Sequence, residues 1–183
     1  MLIGLISDTH IRVPGYRANL SQLWTSELPV QVKETFRGVD LILHVGDVYA
    51  IPILDQLETI APVLACEGDD DPFDIMNDRR VKQKHILNLD GVTIWLAHEI
   101  ETWSVDGHEN PPDVIIFGHT HRAALEKNNG IIRINPGSPT FPAYRNELGS
   151  LGLLKIKSGK ADAKIIQLQG KLGGTMGSGR LQR

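Results

Sequence analysis

Two stretches decide the fold: LIGLISDTH at residues 2–10 and DLILHVGD at residues 40–47. Each opens on a short, nearly unbroken apolar run and closes on acidic or imidazole side chains. An apolar run of four to six residues without alternation suits a strand buried on both faces, as in the middle of a parallel sheet. The polar residues that follow then fall beyond the carboxyl end of that strand.

Working outward, Ile51, Leu54, Leu57 and Ile60 recur three apart and predict a helix over residues 51–60. A third short strand is expected at 62–65, running into Glu67-Gly68-Asp69-Asp70-Asp71-Pro72. Residues 20–37 read as helical in parts, broken near Pro29 and stopped at Gly38. The order strand, loop, helix, strand, helix, strand indicates a parallel layer with crossover helices. The second half changes character. Strands at 81–89 and 92–97 flank Asp90-Gly91, a hairpin signal. A buried strand follows at 114–117, then hairpins around Asn128-Asn129-Gly130 and Ser158-Gly159-Lys160. The expected architecture is α/β (α+β): two packed mixed sheets, a two-layer β-sandwich, with helices outside. One domain is expected over residues 1–169. The Gly-rich stretch 170–183 lacks apolar periodicity and reads as a flexible tail.

The chain has 183 residues, of which 41% are hydrophobic and 22% charged, the balance of an ordinary globular protein. Lys plus Arg total 19 against 22 Asp plus Glu, a formal charge of −3 that argues against a general nucleic-acid binder. Cys66 is the single cysteine, so an internal disulfide and a Cys-based zinc site are both excluded. The run at 2–6 is too short for a signal segment, and no stretch approaches the ~18 apolar residues of a membrane span. A soluble, cytoplasmic protein is the expectation.

Chemistry gathers at the strand ends. Asp8 with His10, Asp47, His98, and His119 with His121 each follow an expected strand, and Asp69, Asp70 and Asp71 follow another. In open α/β folds functional groups collect beyond the carboxyl ends of parallel strands. Imidazole and carboxylate without thiolate suit divalent manganese, iron, zinc, nickel or cobalt. Any one of these pieces is unspecific; Gly46-Asp47 alone reads as a turn. Five such elements at five strand ends are hard to explain as satisfied polar ends.

Taken together, the motifs resemble those of the calcineurin-like metallophosphoesterase superfamily, and within it a small single-domain phosphodiesterase branch that includes the retromer scaffold subunit. The Asp-x-His motif is matched by Asp8 and His10, and the Gly-Asp motif by Gly46 and Asp47. The Gly-Asn-x-Asp loop is matched by Gly68, Asp69, Asp70 and Asp71, the isolated histidine by His98, and Gly-His-x-His by Gly118 to His121. Asn135-Pro136-Gly137-Ser138 matches the branch's Asn-Pro-Gly-Ser stretch.

The resemblance implies a two-metal site, with manganese foremost and nickel, cobalt, iron, zinc or magnesium as alternatives. It implies that Asp8, His10 and His121 bind one ion, that Asp69, His98 and His119 bind the other, and that Asp47 bridges them. It implies hydrolysis of a phosphodiester or phosphomonoester in a small phosphorylated substrate by a metal-bridging hydroxide. Asp47, His98 and Asp70 are the expected catalytic residues, and Asn135, Ser138 and His108 the expected substrate contacts.

The chain departs from the pattern in three places. Asp69 puts a carboxylate where the family has a neutral Asn. Asp70 occupies the position of a catalytic His in many members, which leaves the leaving-group acid unassigned. Glu99 follows His98 where Gly is common, and the proline-bound segment 99–112 suggests an irregular loop that shapes substrate access or supports a homo-oligomer. Of the remaining residues, His44 and Cys66 read as core and His85 as part of a solvated strand face. Asn135 to Ser138 reads equally as an anion nest or a tight turn, and Trp103 and Tyr144 either line a pocket or pack. The competing function is a protein-interaction scaffold of the same fold with weak or no catalysis. A DNA-repair nuclease would call for capping domains and a basic channel, neither of which is evident.

Overall fold

A computed structural model describes residues 1–11, 27–100, 111–170 and 172. The first sheet has six strands. β1 (Leu2–Ile6), β2 (Leu41–His44), β3 (Val63–Cys66) and β4 (Val81–Lys82) run parallel in that order. β10 (Ser150–Lys157) pairs antiparallel with β1, and β11 (Lys160–Gln167) pairs with β10. The second sheet is ordered β5 (Lys84–Leu89), β6 (Val92–Ala97), β7 (Val114–Ile116), β9 (Ile131–Asn135), β8 (Ala124–Asn128). Its three central strands are parallel and its two edges antiparallel. Among the described residues there are three short α-helices, α1 (Val30–Thr35), α2 (Ile51–Glu58) and α3 (Phe73–Met76). No helix among the described residues is long and apolar enough to cross a membrane.

The strand pleat divides the core in two. Ile3, Leu5 and Leu43 point to the second sheet and meet Ile94, Leu96, Val114, Ile116 and Ile134. Ile6 and Ile42 point the other way, onto Val32 and Phe36 of α1 and its end and Ile53, Leu54 and Leu57 of α2. Both faces of the first sheet are therefore covered, which is why its central strands show no polar alternation. Gly4 lies under the Phe36 ring, and a Cβ there would sit 2.9 Å from two ring carbons. Gly4→Ala is therefore expected to lower stability by about 1–3 kcal/mol through overpacking. A urea midpoint equal to the parent's would show that the ring moves aside freely.

Three hairpin turns fall at the Gly dipeptides. Asp90-Gly91, Asn129-Gly130 and Ser158-Gly159 all carry positive φ at both residues, the geometry of a primed turn that matches strand twist. Two expectations need correction. The strand expected at 81–89 is two strands, since β4 pairs with β3 in the first sheet whereas β5 pairs with β6 in the second. The chain thus changes sheets at Gln83. His85 is buried rather than solvated, and its Nε2 hydrogen-bonds the Ala65 carbonyl across the sandwich at 2.8 Å. The buried face of α2 also includes Ile53, while Ile51 and Ile60 are half-buried.

Candidate metal centre

The ends of β1, β2, β3, β6 and β7 converge at one edge of the sandwich, and each delivers acidic or imidazole side chains. Asp8, His10, Asp47, His119 and His121 all take positive φ, between 46° and 68°. Such a conformation costs a non-glycine residue about 1–3 kcal/mol and persists only where the surroundings enforce it. The enforcement is visible in the hydrogen bonds. Asp8 N–H donates to Gly46 O at 3.0 Å and His10 N–H to Asp47 O at 3.2 Å, which locks the first two loops together. Ser138 Oγ donates to Asp8 O, and Thr140 Oγ1 to Thr9 O. Two glycines permit the close approach: a Cβ on Gly68 would run into Asp47, and one on Gly118 into Ser7.

The side chains form two groups. Asp8, His10, Asp47 and His121 are all buried, and one ligand atom from each lies within 4.8 Å of the others. Asp69, His98 and His119 form the second group by the same measure. Asp47 Oδ2 stands between the two, 3.2 Å from His10 Nε2 and 3.7 Å from His98 Nε2. Asp69, half exposed, turns inward, with Oδ1 at 2.8 Å from His98 Nε2 and 3.1 Å from His119 Nδ1.

The donor chemistry fits divalent cations. His98 Nδ1–H donates to Val45 O at 2.6 Å and His121 Nδ1–H to Phe141 O at 2.9 Å. In the neutral imidazole this fixes the tautomer and aims the Nε2 lone pair into the cluster. His121 Nε2 then faces His10 Nε2 at 3.1 Å, and His98 Nε2 faces a carboxylate oxygen. Lone pairs converging at these distances need either protons or a cation between them. Asp8 is fully buried, and neither carboxylate oxygen has a hydrogen-bond partner. Burial pushes its carboxyl above the ordinary range, against the pull of His98 and His121. An ionised carboxylate in that position is costly unless a cation accompanies it. Burial also raises the Asp47 carboxyl, but the hydrogen bond from His10, the charge of His98 and the Asp70 amide outweigh it and hold it low. At His98 burial favours the neutral ring, yet the charges of Asp47 and Asp8 push its pKa up.

Asp71 matches a motif position in the sequence, but its structural role is visible only in the fold. It is buried and accepts four backbone N–H bonds: Val48 at 2.7 Å and Tyr49 at 2.9 Å on Oδ1, Gly68 at 2.9 Å and Asp47 at 3.0 Å on Oδ2. It thereby fixes the loop that carries Asp47. Asp70, one residue earlier, is exposed; its amide donates to Asp47 Oδ1 and its carboxylate accepts the Tyr49 hydroxyl at 2.9 Å.

Asn135 and Ser138, expected at the substrate, are fully buried and brace the site instead. Asn135 Nδ2 donates to Gly118 O and Thr120 Oγ1, its Oδ1 accepts Gly137 N–H, and Ser138 Oγ accepts Phe141 N–H. The stretch is therefore a tight turn that ties the His119–His121 loop to Asp8. His44 is a core histidine bonded to Thr9, its pKa lowered to about 3 by burial. Cys66 is buried against Leu96, and burial pushes its thiol well up. Trp103 and His108 lie outside the described residues.

Residues 1–159 match the profile of the calcineurin-like phosphoesterase superfamily domain, and the chain belongs to that superfamily. A probable metallophosphoesterase of Methanothermobacter thermautotrophicus is 37% identical over 175 residues, 91% of this chain and 92% of the relative. Among solved structures, an archaeal phosphodiesterase superposes with a TM-score of 0.62 at 21% identity, covering 91% of this chain and all of that one. Vps29 from Entamoeba histolytica, complexed with zinc, gives 0.64 at 21% identity, covering 91% and 99%. At such identity the two solved structures speak to the fold alone.

Proposed function

We propose that the protein is a dinuclear metal-dependent phosphoesterase acting on phosphodiesters or phosphomonoesters. The observation that carries this reading is the buried Asp8, neither of whose oxygens has a hydrogen-bond partner and whose Oδ1 faces His121 Nε2 at 3.4 Å inside a cluster of further carboxylate and imidazole groups. Asp8, His10 and His121 would hold one ion, Asp69, His98 and His119 the other, and Asp47 both. When bound, such ions supply Lewis acidity, lowering the pKa of a coordinated water and offsetting charge on phosphoryl oxygens. The Val45 and Phe141 carbonyls keep His98 and His121 aimed inward, so little reorganisation accompanies reaction. His119, 44% exposed, stands at the rim where substrate enters. We assign proton delivery to the pair at the exposed edge, where the Tyr49 hydroxyl donates to the Asp70 carboxylate.

The test is metal content together with hydrolysis of aryl phosphate mono- and diesters in manganese, nickel, cobalt and magnesium. Two ions per chain and metal-dependent hydrolysis are expected. Two ions bound with no hydrolysis of either ester would favour the scaffold reading, and no bound metal would overturn both the ligand assignment and the mechanism.

Asp69 sharpens the expectation. A carboxylate in place of a neutral amide neutralises one more unit of cationic charge, which strengthens metal binding but weakens the pull on phosphoryl oxygens. Asp69→Asn should therefore bind manganese about tenfold more weakly, within the range for altered metal surroundings, and turn over faster at saturating metal. Calorimetric titration and steady-state rates on parent and variant decide. Slower turnover with unchanged affinity would refute the charge argument.

A further inference from the structure

Among the described residues, the surroundings of the site are asymmetric. Aromatic rings crowd the half formed by His10 and His121. Tyr49 lies 4.5 Å from the His10 ring, and Phe141 5.5 Å from both histidines. Tyr144 stacks on His121 at 4.4 Å and 28°. The other half opens on a cavity of about 310 Å³ lined by polar side chains, including Glu67, Gln83, Lys84 and Glu99.

Tyr144 differs from its neighbours in being 61% exposed. One ring face rests on His121, and Phe141 meets the ring edge-on at 6.0 Å and 89°. With Tyr144 over it His121 is only 3% exposed, yet the rest of the Tyr144 ring stays open to solvent. The backbone that presents Tyr144 is strained: Ala143 and Tyr144 take φ of 47° and 63° in succession. Ala143 N–H is tied to His121 O and Arg145 N–H to Pro142 O, so the turn holds that shape against its cost. Strain of this kind, held at the mouth of a site and ending in an exposed flat ring, marks a recognition element.

We propose that Tyr144 is a stacking platform that selects phosphoesters bearing a planar ring, a nucleobase or an aryl group, on the part of the substrate beyond the phosphate. This rests on the phosphoesterase reading and names its substrate class. His121 behind and Phe141 at the edge pre-order the platform, so the substrate ring meets a surface that loses little freedom on binding. Base–aromatic stacking in single-strand binders is worth enough to give a tenfold preference.

The experiment measures binding to the manganese-loaded protein of adenosine 5′-monophosphate, phenyl phosphate and ring-free ribose 5-phosphate, by calorimetry or ligand-observed NMR. The parent should bind a ring-bearing compound about tenfold more tightly than ribose 5-phosphate, and the first two compounds separate nucleobase from aryl selection. In Tyr144→Ala that preference should fall to about twofold or less, while Tyr144→Phe and Tyr144→Trp retain it, since the ring and not the hydroxyl is used. Equal binding of all three compounds by the parent would overturn the proposal, with no variant needed. So would a full ring preference in folded Tyr144→Ala. If the ring preference depends on Tyr144 while the parent hydrolyses no phosphoester in any of the four metals, the platform stands and the phosphoesterase reading fails.

Discussion

Asp47→Asn should strip the protein of at least one metal ion, lowering metal affinity by at least about 100-fold, and should abolish turnover. Loss of a supporting partner alone costs metal sites ~10–100-fold, and Asp47 is placed to be a ligand shared by both groups. The geometry dictates how the amide would sit. Asp47 Oδ1 accepts the Asp70 amide at 3.1 Å, so the Asn carbonyl oxygen keeps that side. The Asn NH2 then replaces Oδ2, which lies 3.2 Å from His10 Nε2 and 3.7 Å from His98 Nε2. A donor pointing at those imidazole nitrogens occupies their lone pairs and supplies no charge. The fold should survive, because the backbone bonds of Asp47 to Asp71 and His10 do not involve its side chain. Metal content by elemental analysis, and melting of the metal-free protein as the control for folding, check both halves. Parent-level metal binding and turnover would show that Asp47 is not the shared ligand.

The sandwich and its functional edge were legible in the sequence for a definite reason. Strands covered on both faces must be apolar throughout, so LIGLI and LILH announce themselves, and the first polar residue after each marks the sheet's carboxyl edge. Turn dipeptides ending in Gly mark the hairpins equally plainly. What stayed hidden depends on contacts between distant segments. The change of sheets at Gln83 leaves no trace in local periodicity, since both flanking pieces are extended. His85 and Ile86 exchange the faces that hydrophobicity would give them: the histidine goes inward, where its Nε2 bonds the Ala65 carbonyl, and Ile86 is left 58% exposed on an edge strand. Three adjacent acidic residues at 69–71 look alike in sequence, where the resemblance makes Asp69 a metal ligand and Asp70 catalytic and gives Asp71 no role. In the fold Asp69 faces two imidazoles, Asp70 holds a tyrosine hydroxyl, and Asp71 is buried among backbone amides. The buried bracing roles of Asn135 and Ser138 depend on loops far away in the chain, so an exposed anion nest and a buried turn look alike in sequence.

Asp71 carries the larger consequence for stability. Its two oxygens accept two N–H groups each, the full set that an ionised carboxylate can serve in this loop. In Asp71→Asn one oxygen becomes an NH2 that confronts two N–H donors and satisfies neither. Each buried donor left without an acceptor costs about 1–3 kcal/mol, so the variant should lose about 3–5 kcal/mol once the lost charge assistance is included. The damage should also reach function, because the unsatisfied donors belong either to Val48 and Tyr49 or to Asp47 and Gly68, the backbone that holds the Asp47 carboxylate. Metal affinity should fall ~10–100-fold, as when other outer supports of metal sites are removed. Asp70→Asn is the matched control one residue away. It keeps a carbonyl acceptor for the Tyr49 hydroxyl and stays at the exposed surface, so its cost should be under about 0.5 kcal/mol. Urea unfolding in the presence of a chelator separates the structural loss from any metal effect. Equal midpoints for Asp71→Asn and Asp70→Asn would mean that the four amides find other acceptors and that Asp71 is not the anchor of the Asp47 loop.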